Sequence, residues 1–146
     1  MEDARAVLAR VFGYDSFRPG QEEAVSALLA GRDLLAVMPT GAGKSICYQL
    51  PALMRGHVTI VISPLISLMR DQVSALRLSG VRAAFINSTL TPAQQRKALD
   101  NARQGMYRIL YVAPERLLTE AFLFFACQAE LDYVIVDEAH CVSQWG

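Results

Sequence analysis

Residues 33 to 50 read DLLAVMPTGAGKSICYQL. The first six, Asp33 to Met38, form a short apolar run of strand type. A glycine-bearing loop follows, and then GKSICYQLPALM continues with helical spacing. Strand, loop and helix in that order make a phosphate cradle. Glycines let the backbone curl so that successive N–H groups face one centre, and the helix adds its positive N-terminal end. Thr40, Gly41, Ala42 and Gly43 form the curl, Lys44 can reach β- and γ-phosphates, and the hydroxyl of Ser45 can hold Mg²⁺. The strict pattern GxxxxGK[ST] begins with glycine where this chain has Met38. The groups that touch phosphate are all kept. The bland alternative is a glycine turn before a core helix, and the order of strand, loop and helix speaks against it.

Outward from that stretch, strand and helix patterns alternate. QEEAVSALLA (21 to 30) is helical and stops at Gly31. VTIVIS (58 to 63) is β-branched and reads as a buried strand. LISLMRDQVSALRLSG is helical and ends at Gly80, and RAAFIN (82 to 87) fits a strand. Thr91-Pro92-Ala93-Gln94 is a capping-box pattern with Pro at the first helical position. The helix it opens runs to Gly105 and is polar enough for the surface. YRILYVA (107 to 113) is a strand, PERLLTEAFLFFACQAE is one or two helices, and LDYVIVDE (131 to 138) is a last strand closed by acids. Strands apolar throughout, separated by helices, imply an α/β fold: a parallel sheet with helices on both faces. Ligands in such folds sit at the carboxyl ends of the strands, where the glycine loop and the acidic pair both fall.

That acidic pair is Asp137-Glu138. Two adjacent carboxylates after a buried strand are costly unless they meet a cation. Asp137 would orient Mg²⁺, and Glu138 would polarise the water that attacks a γ-phosphate. A solvated strand end is the plainer reading of a lone Asp-Glu; beside a phosphate loop the pair points to nucleotide hydrolysis.

The 146 residues leave room for one domain, and 53% of them are hydrophobic, enough for a sizeable core. The formal net charge is +0, so any nucleic-acid contact must come from local placement. No stretch reaches the roughly 18 apolar residues of a membrane span. The start, MEDARAVLARVFGY, has no apolar signal core, which makes a cytoplasmic site the default expectation. Cys47, Cys127 and Cys141 are odd in number and far apart, which points away from a disulfide framework or zinc site. All three read as reduced thiols in or near the core. His57 reads as loop.

The stretch DEAHCVSQWG (137 to 146) resembles the RecQ family of DNA helicases. Four further stretches agree, in the family's order: FGYDSFRPGQ (12 to 21), MPTGAGKSICYQLPA (38 to 52), SPLISLMRDQ (63 to 72) and YVAPERL (111 to 117). DEAHCVSQWG and FRPGQ are quite specific, whereas GKS and DEAH are shared by many helicases. By this resemblance Gln21 matches a glutamine that reads adenine through its amide, and Tyr14 and Arg18 match residues packed around the base. An amide both donates and accepts, as adenine's N6 and N7 require. His140 matches the histidine that links the γ-phosphate site to the rest of the machine. Trp145 opens an aromatic-rich loop that in the family senses DNA; a core tryptophan is the plainer alternative. Ser63 and Pro64 begin a stretch resembling one that contacts the DNA backbone, although LISLM is chiefly a core face.

The resemblance implies a RecA-like ATP-binding lobe using ATP and Mg²⁺. Within it, residues 1–31 would be a helical segment carrying the adenine-reading motif, and 32–146 the α/β core through the DEAH box. It implies a 3′-to-5′ DNA helicase of recombination and repair, acting in the cytoplasm, or at the nucleoid in a bacterium. Its partners would be single-stranded DNA, duplex junctions and a second RecA-like lobe with an arginine finger, with no membrane. Two alternatives stand beside it: another P-loop translocase or RNA helicase, and a nucleotide-binding module without turnover for the 146 residues alone. The resemblance also implies an extra strand between DLLAVM and YVIVDE, coming after Gly146. The expectation is therefore a lobe incomplete at its C-terminus that does not fold alone.

Overall fold

Asp3 caps the first helix by accepting the N–H of Ala6 at 2.9 Å. That helix, α1 (Ala4–Val7), runs on as a wider π turn through Leu8–Phe12 and closes at Gly13, whose φ of 77° suits a residue without a Cβ. α2 (Gln21–Leu29) and α3 (Ile46–Leu53) follow. Val7, Leu8, Val25, Ile46 and Leu50 are buried among these helices. The computed structural model describes residues 3–30, 46–54, 57–63, 66–129 and 131–136. The chain divides into two units, Met1–Arg55 with these three helices and Gly56–Gly146 with a sheet. The strand expected at DLLAVM and the loop through Ser45 lie outside the described residues.

In the second unit β1 (Val58–Ile62), α4 (Ile66–Leu78), β2 (Ala83–Ile86), α5 (Pro92–Arg103), β3 (Ile109–Val112), α6 (Glu120–Gln128) and β4 (Leu131–Val136) succeed one another. All pairings are parallel, in the order β2-β3-β1-β4. A parallel pair needs a crossover, and each helix here supplies one. Register puts Ile86, Val112, Ile62 and Val136 in one closing row. This is the parallel α/β architecture expected from the sequence.

Alternate residues of each strand face opposite ways, and both faces are covered. On one, Ile60, Ile62, Ala84, Ile86, Leu110 and Val112 pack with Leu99 and Ala102 of α5 and Phe122 and Phe125 of α6. The rings of Phe122 and Phe125 lie 5.8 Å apart at a tilt. Burying a side chain such as Phe125 stabilises by about 1.5–3 kcal/mol, and truncating it to alanine would cost about 3–5. On the other face α4 lays down Met69, Val73 and Leu76, spaced for one helical stripe.

The capping box is present: Thr91 Oγ1 accepts the N–H of Gln94 at 3.1 Å, and Gln94 Oε1 accepts that of Thr91 at 2.8 Å. α5 buries only Leu99 and Ala102, as its polarity led one to expect. PERLLTEAFLFFACQAE divides into a 3-10 turn, Pro114–Arg116, and α6, because the hydroxyl of Thr119 caps the helix at Phe122 N–H.

Two readings need correction. Cys47 is buried as expected, but Cys127 is exposed, because it sits about 200° around α6 from the core-facing Phe125. Cys141 lies outside the described residues. Strands β1 and β3 are buried throughout, yet Val134 of β4 is 57% exposed. β4 pairs with β1 on one side only, and among the described residues no strand flanks its other edge. No helix among the described residues is long and apolar enough to cross a membrane.

Candidate functional site

The segment between the first two helices is polar and open, and it places Tyr14, Arg18 and Gln21. Tyr14 is 49% exposed and Arg18 is exposed, so ring and guanidinium are presented at the surface. Gln21 is buried at 3% exposure as the first residue of α2. Its side-chain Oε1 accepts the backbone N–H of Arg18 at 2.8 Å, while its own N–H goes to the Arg18 carbonyl at 3.0 Å. This reciprocal pair fixes the amide and Arg18 relative to one another.

α3 begins in the described residues at Ile46, directly after Ser45 in the chain. Burial pushes the Cys47 thiol above its ordinary value, so it is an unreactive packing group.

At the carboxyl edge of the sheet, Ser63 follows β1, Asn87 follows β2 and Ala113 follows β3. Ser63 is 1% exposed, and its N–H donates to the Val112 carbonyl at 3.2 Å. Asp137 follows Val136, the last residue of β4, in the chain. Of the residues expected from sequence, then, Tyr14, Arg18, Gln21 and Ser63 are described. Thr40, Gly41, Ala42, Gly43, Lys44, Ser45, Pro64, Asp137, Glu138, His140 and Trp145 lie outside the described residues.

The sheet edge also carries polar groups that sequence reading did not single out. Asn87 is fully buried; its Oδ1 accepts the N–H of Thr89 at 2.9 Å and also the Thr89 hydroxyl, and its Nδ2 meets Met69 Sδ at 3.6 Å. Tyr111, 1% exposed, donates its hydroxyl to Gln72 Oε1 at 3.0 Å. An asparagine ending the apolar run AAFI was the one signal available for the first. The second joins residues 39 apart and left none.

The fold is a parallel α/β lobe, and the comparisons give its family. The family model described as "DEAD/DEAH box helicase" matches residues 18–146, so the chain belongs to that family. Within it, the chain is similar to proteins named "ATP-dependent DNA helicase RecQ". It is 50% identical to that of Haemophilus influenzae over 98% of this chain and 23% of the relative. It is 49% identical to that of Bacillus subtilis over 98% of this chain and 24% of the relative. The chain therefore spans about a quarter of the length of these relatives. Among solved structures, a hypothetical ATP-dependent RNA helicase from Sulfolobus tokodaii matches with a TM-score of 0.76 at 24% identity, over 99% of this chain and 43% of that one. The DUF1998 helicase MrfA, bound to DNA and AMPPNP, matches with a TM-score of 0.75 at 22% identity, over 94% of this chain and 20% of that one. At those identities the likeness concerns the fold.

Proposed function

We propose that the chain is the ATP-binding lobe of an ATP-dependent DNA helicase of RecQ type, which couples ATP hydrolysis to strand separation with 3′-to-5′ polarity. The observation that carries this is the identity of about half over nearly the whole chain with relatives of that name. The described residues fit an adenine nucleotide. Gln21 offers an amide held in place through the Arg18 backbone, and Arg18 and Tyr14 offer an exposed guanidinium and a half-exposed phenol ring suited to stacking on a purine. Thr40 to Ser45 would hold the phosphates, Ser45 and Asp137 would hold Mg²⁺, and Glu138 would orient water. When bound, Mg²⁺ supplies charge neutralisation at the β- and γ-oxygens. His140 would relay the state of that site onward. Ser63, Pro64 and Trp145 would serve DNA, and the second lobe would close over the nucleotide.

The test is ATP turnover of the full-length protein with single-stranded DNA, with RNA and with neither. DNA stimulates and RNA does not. Lys44→Ala removes turnover in a folded protein, and Glu138→Gln retains nucleotide binding while losing about 10²–10⁴ in kcat. Stimulation by RNA alone would transfer the reading to an RNA helicase. Undiminished turnover in Lys44→Ala would refute hydrolysis at this loop.

A further inference from the structure

The helix that begins at Ala4 does not close as an ordinary α-helix does. Its last turn widens into a π turn over Leu8–Phe12, a rare form that gathers at functional sites. Gly13 N–H donates to the Ala9 carbonyl at 3.2 Å, and Tyr14 N–H reaches back to the Leu8 carbonyl at 3.4 Å. Gly13 makes the second bond possible. Its φ of 77° and ψ of 18° lie in the left-handed region, which turns the following N–H back toward the helix. A Cβ on Gly13 would meet nothing within 4 Å, so the demand at this position is on backbone conformation and not on space.

The carbonyl that receives Tyr14 is a fixed one. Leu8 is 0% exposed, and Val7 and Val11 are buried beside it in the chain. Arg5 Nη2 lies 3.6 Å from Glu22 Oε2, so α1 passes close to the residue after Gln21. Tyr14 itself is 49% exposed, too open for packing alone to set its place. Its backbone is held instead, from the buried helix behind it. The far end of the same exposed segment is held by the reciprocal bonds between Arg18 and Gln21. One clamp thus stands at each end of the residues proposed to meet adenine.

We infer that Gly13 is a positioning residue for the nucleotide: its left-handed backbone and the Leu8 carbonyl hold Tyr14 where the ring can stack on the base. Gly13 touches no nucleotide and acts through Tyr14. This rests on the reading of Tyr14 given above as a residue that stacks on the purine.

The experiment uses the full-length protein and ATP, and it reads KM, kcat and melting temperature. Tyr14→Ala raises KM about fivefold or more, as loss of one aromatic stack on a base should. Gly13→Ala raises KM about threefold or more with kcat held, because the ring is no longer preorganised. Gly13→Asn keeps KM near wild type, since asparagine tolerates the left-handed region. The double variant of Gly13→Ala with Tyr14→Ala has the KM of Tyr14→Ala alone. Asp3→Ala removes the cap at the other end of the same helix, lowers the melting temperature and leaves KM unchanged. Should Gly13→Ala not fold, an alanine inserted between Gly13 and Tyr14 carries the test. It leaves the clamp an N–H to hold, moves the ring one residue away, and raises KM as Tyr14→Ala does. A KM unchanged in Tyr14→Ala overturns the stacking reading, and this proposal with it. A KM raised in Tyr14→Ala but unchanged in Gly13→Ala, or in the insertion, overturns the proposal alone. So does a rise shared equally by Gly13→Asn or Asp3→Ala, which would make Gly13 a matter of helix stability only.

Discussion

Gln21 is a single side chain asked to do two things, and substitution separates them. Its Oε1 bonds the Arg18 N–H at 2.8 Å, and by the proposed reading its amide also matches adenine. Gln21→Met keeps the volume of a side chain only 3% exposed and removes both polar functions. The structural loss includes the bond from Arg18, about 0.5–1.5 kcal/mol. Discrimination is a larger matter. In the native protein GTP leaves the buried amide mismatched, at about 1–3 kcal/mol, so wild type should favour ATP by about 5- to 150-fold on this contact. Gln21→Met has no amide to mismatch, so most of that preference should vanish while the fold survives. The assay is kcat/KM for ATP and GTP in the full-length protein, with thermal melting alongside. An unchanged ATP:GTP ratio in a folded Gln21→Met protein would refute base reading by this residue. Equal losses for both nucleotides would leave Gln21 only the task of holding Arg18.

Two further expectations concern the described fold directly. Thr91→Ala removes half of the capping box and should lower stability by about 1 kcal/mol, read by denaturant melting; no loss would mean α5 is held by packing alone. A maleimide at neutral pH should label exposed Cys127 well before buried Cys47. Because the Cys47 thiol is raised in the fold above its unfolded value, its neutral form favours folding at neutral pH. That contribution is lost as pH rises into the alkaline range, where Cys47 labelling should accelerate. Early labelling of Cys47, mapped by mass spectrometry, would contradict its burial.

Sequence reading succeeded where a signal was local. VTIVI, AAFI and ILYV are strands because β-branched and aromatic residues repeat without polar interruption, and α5 announces itself by Thr91, Pro92 and Gln94. It was weaker where environment decides. FLFFAC is apolar all round, and periodicity alone did not say that Phe124 and Cys127 would face water while Phe122 and Phe125 faced the core. The apolar character of YVIV likewise did not reveal that Val134 is open in β4, the last strand in the order among the described residues. At the site, motif spacing pointed to a phosphate loop and an acidic pair, both outside the described residues, and Gln21 came from the family resemblance. Spacing could not bring Tyr111 to Gln72, since that depends on how the chain returns upon itself; the bond between Arg18 and Gln21 is local, and it went unread because no capping pattern marks it.

The strand order also has a consequence for how this chain emerges from a ribosome. β1 is buried at all five positions, but its neighbours are β3 and β4, not the β2 that is made next. Fifty residues separate the last residue of β1, Ile62, from that of β3, Val112. At about 5–20 residues per second, VTIVI waits about 3–10 s with no partner strand. A five-residue β-branched run without charge is the kind of segment that finds a copy of itself on a neighbouring nascent chain. Local α4 and α5 can form meanwhile, but they cannot pair its backbone. Slowed elongation across residues 63–112 should therefore lower the soluble yield, and a chaperone that shields short apolar segments should restore it.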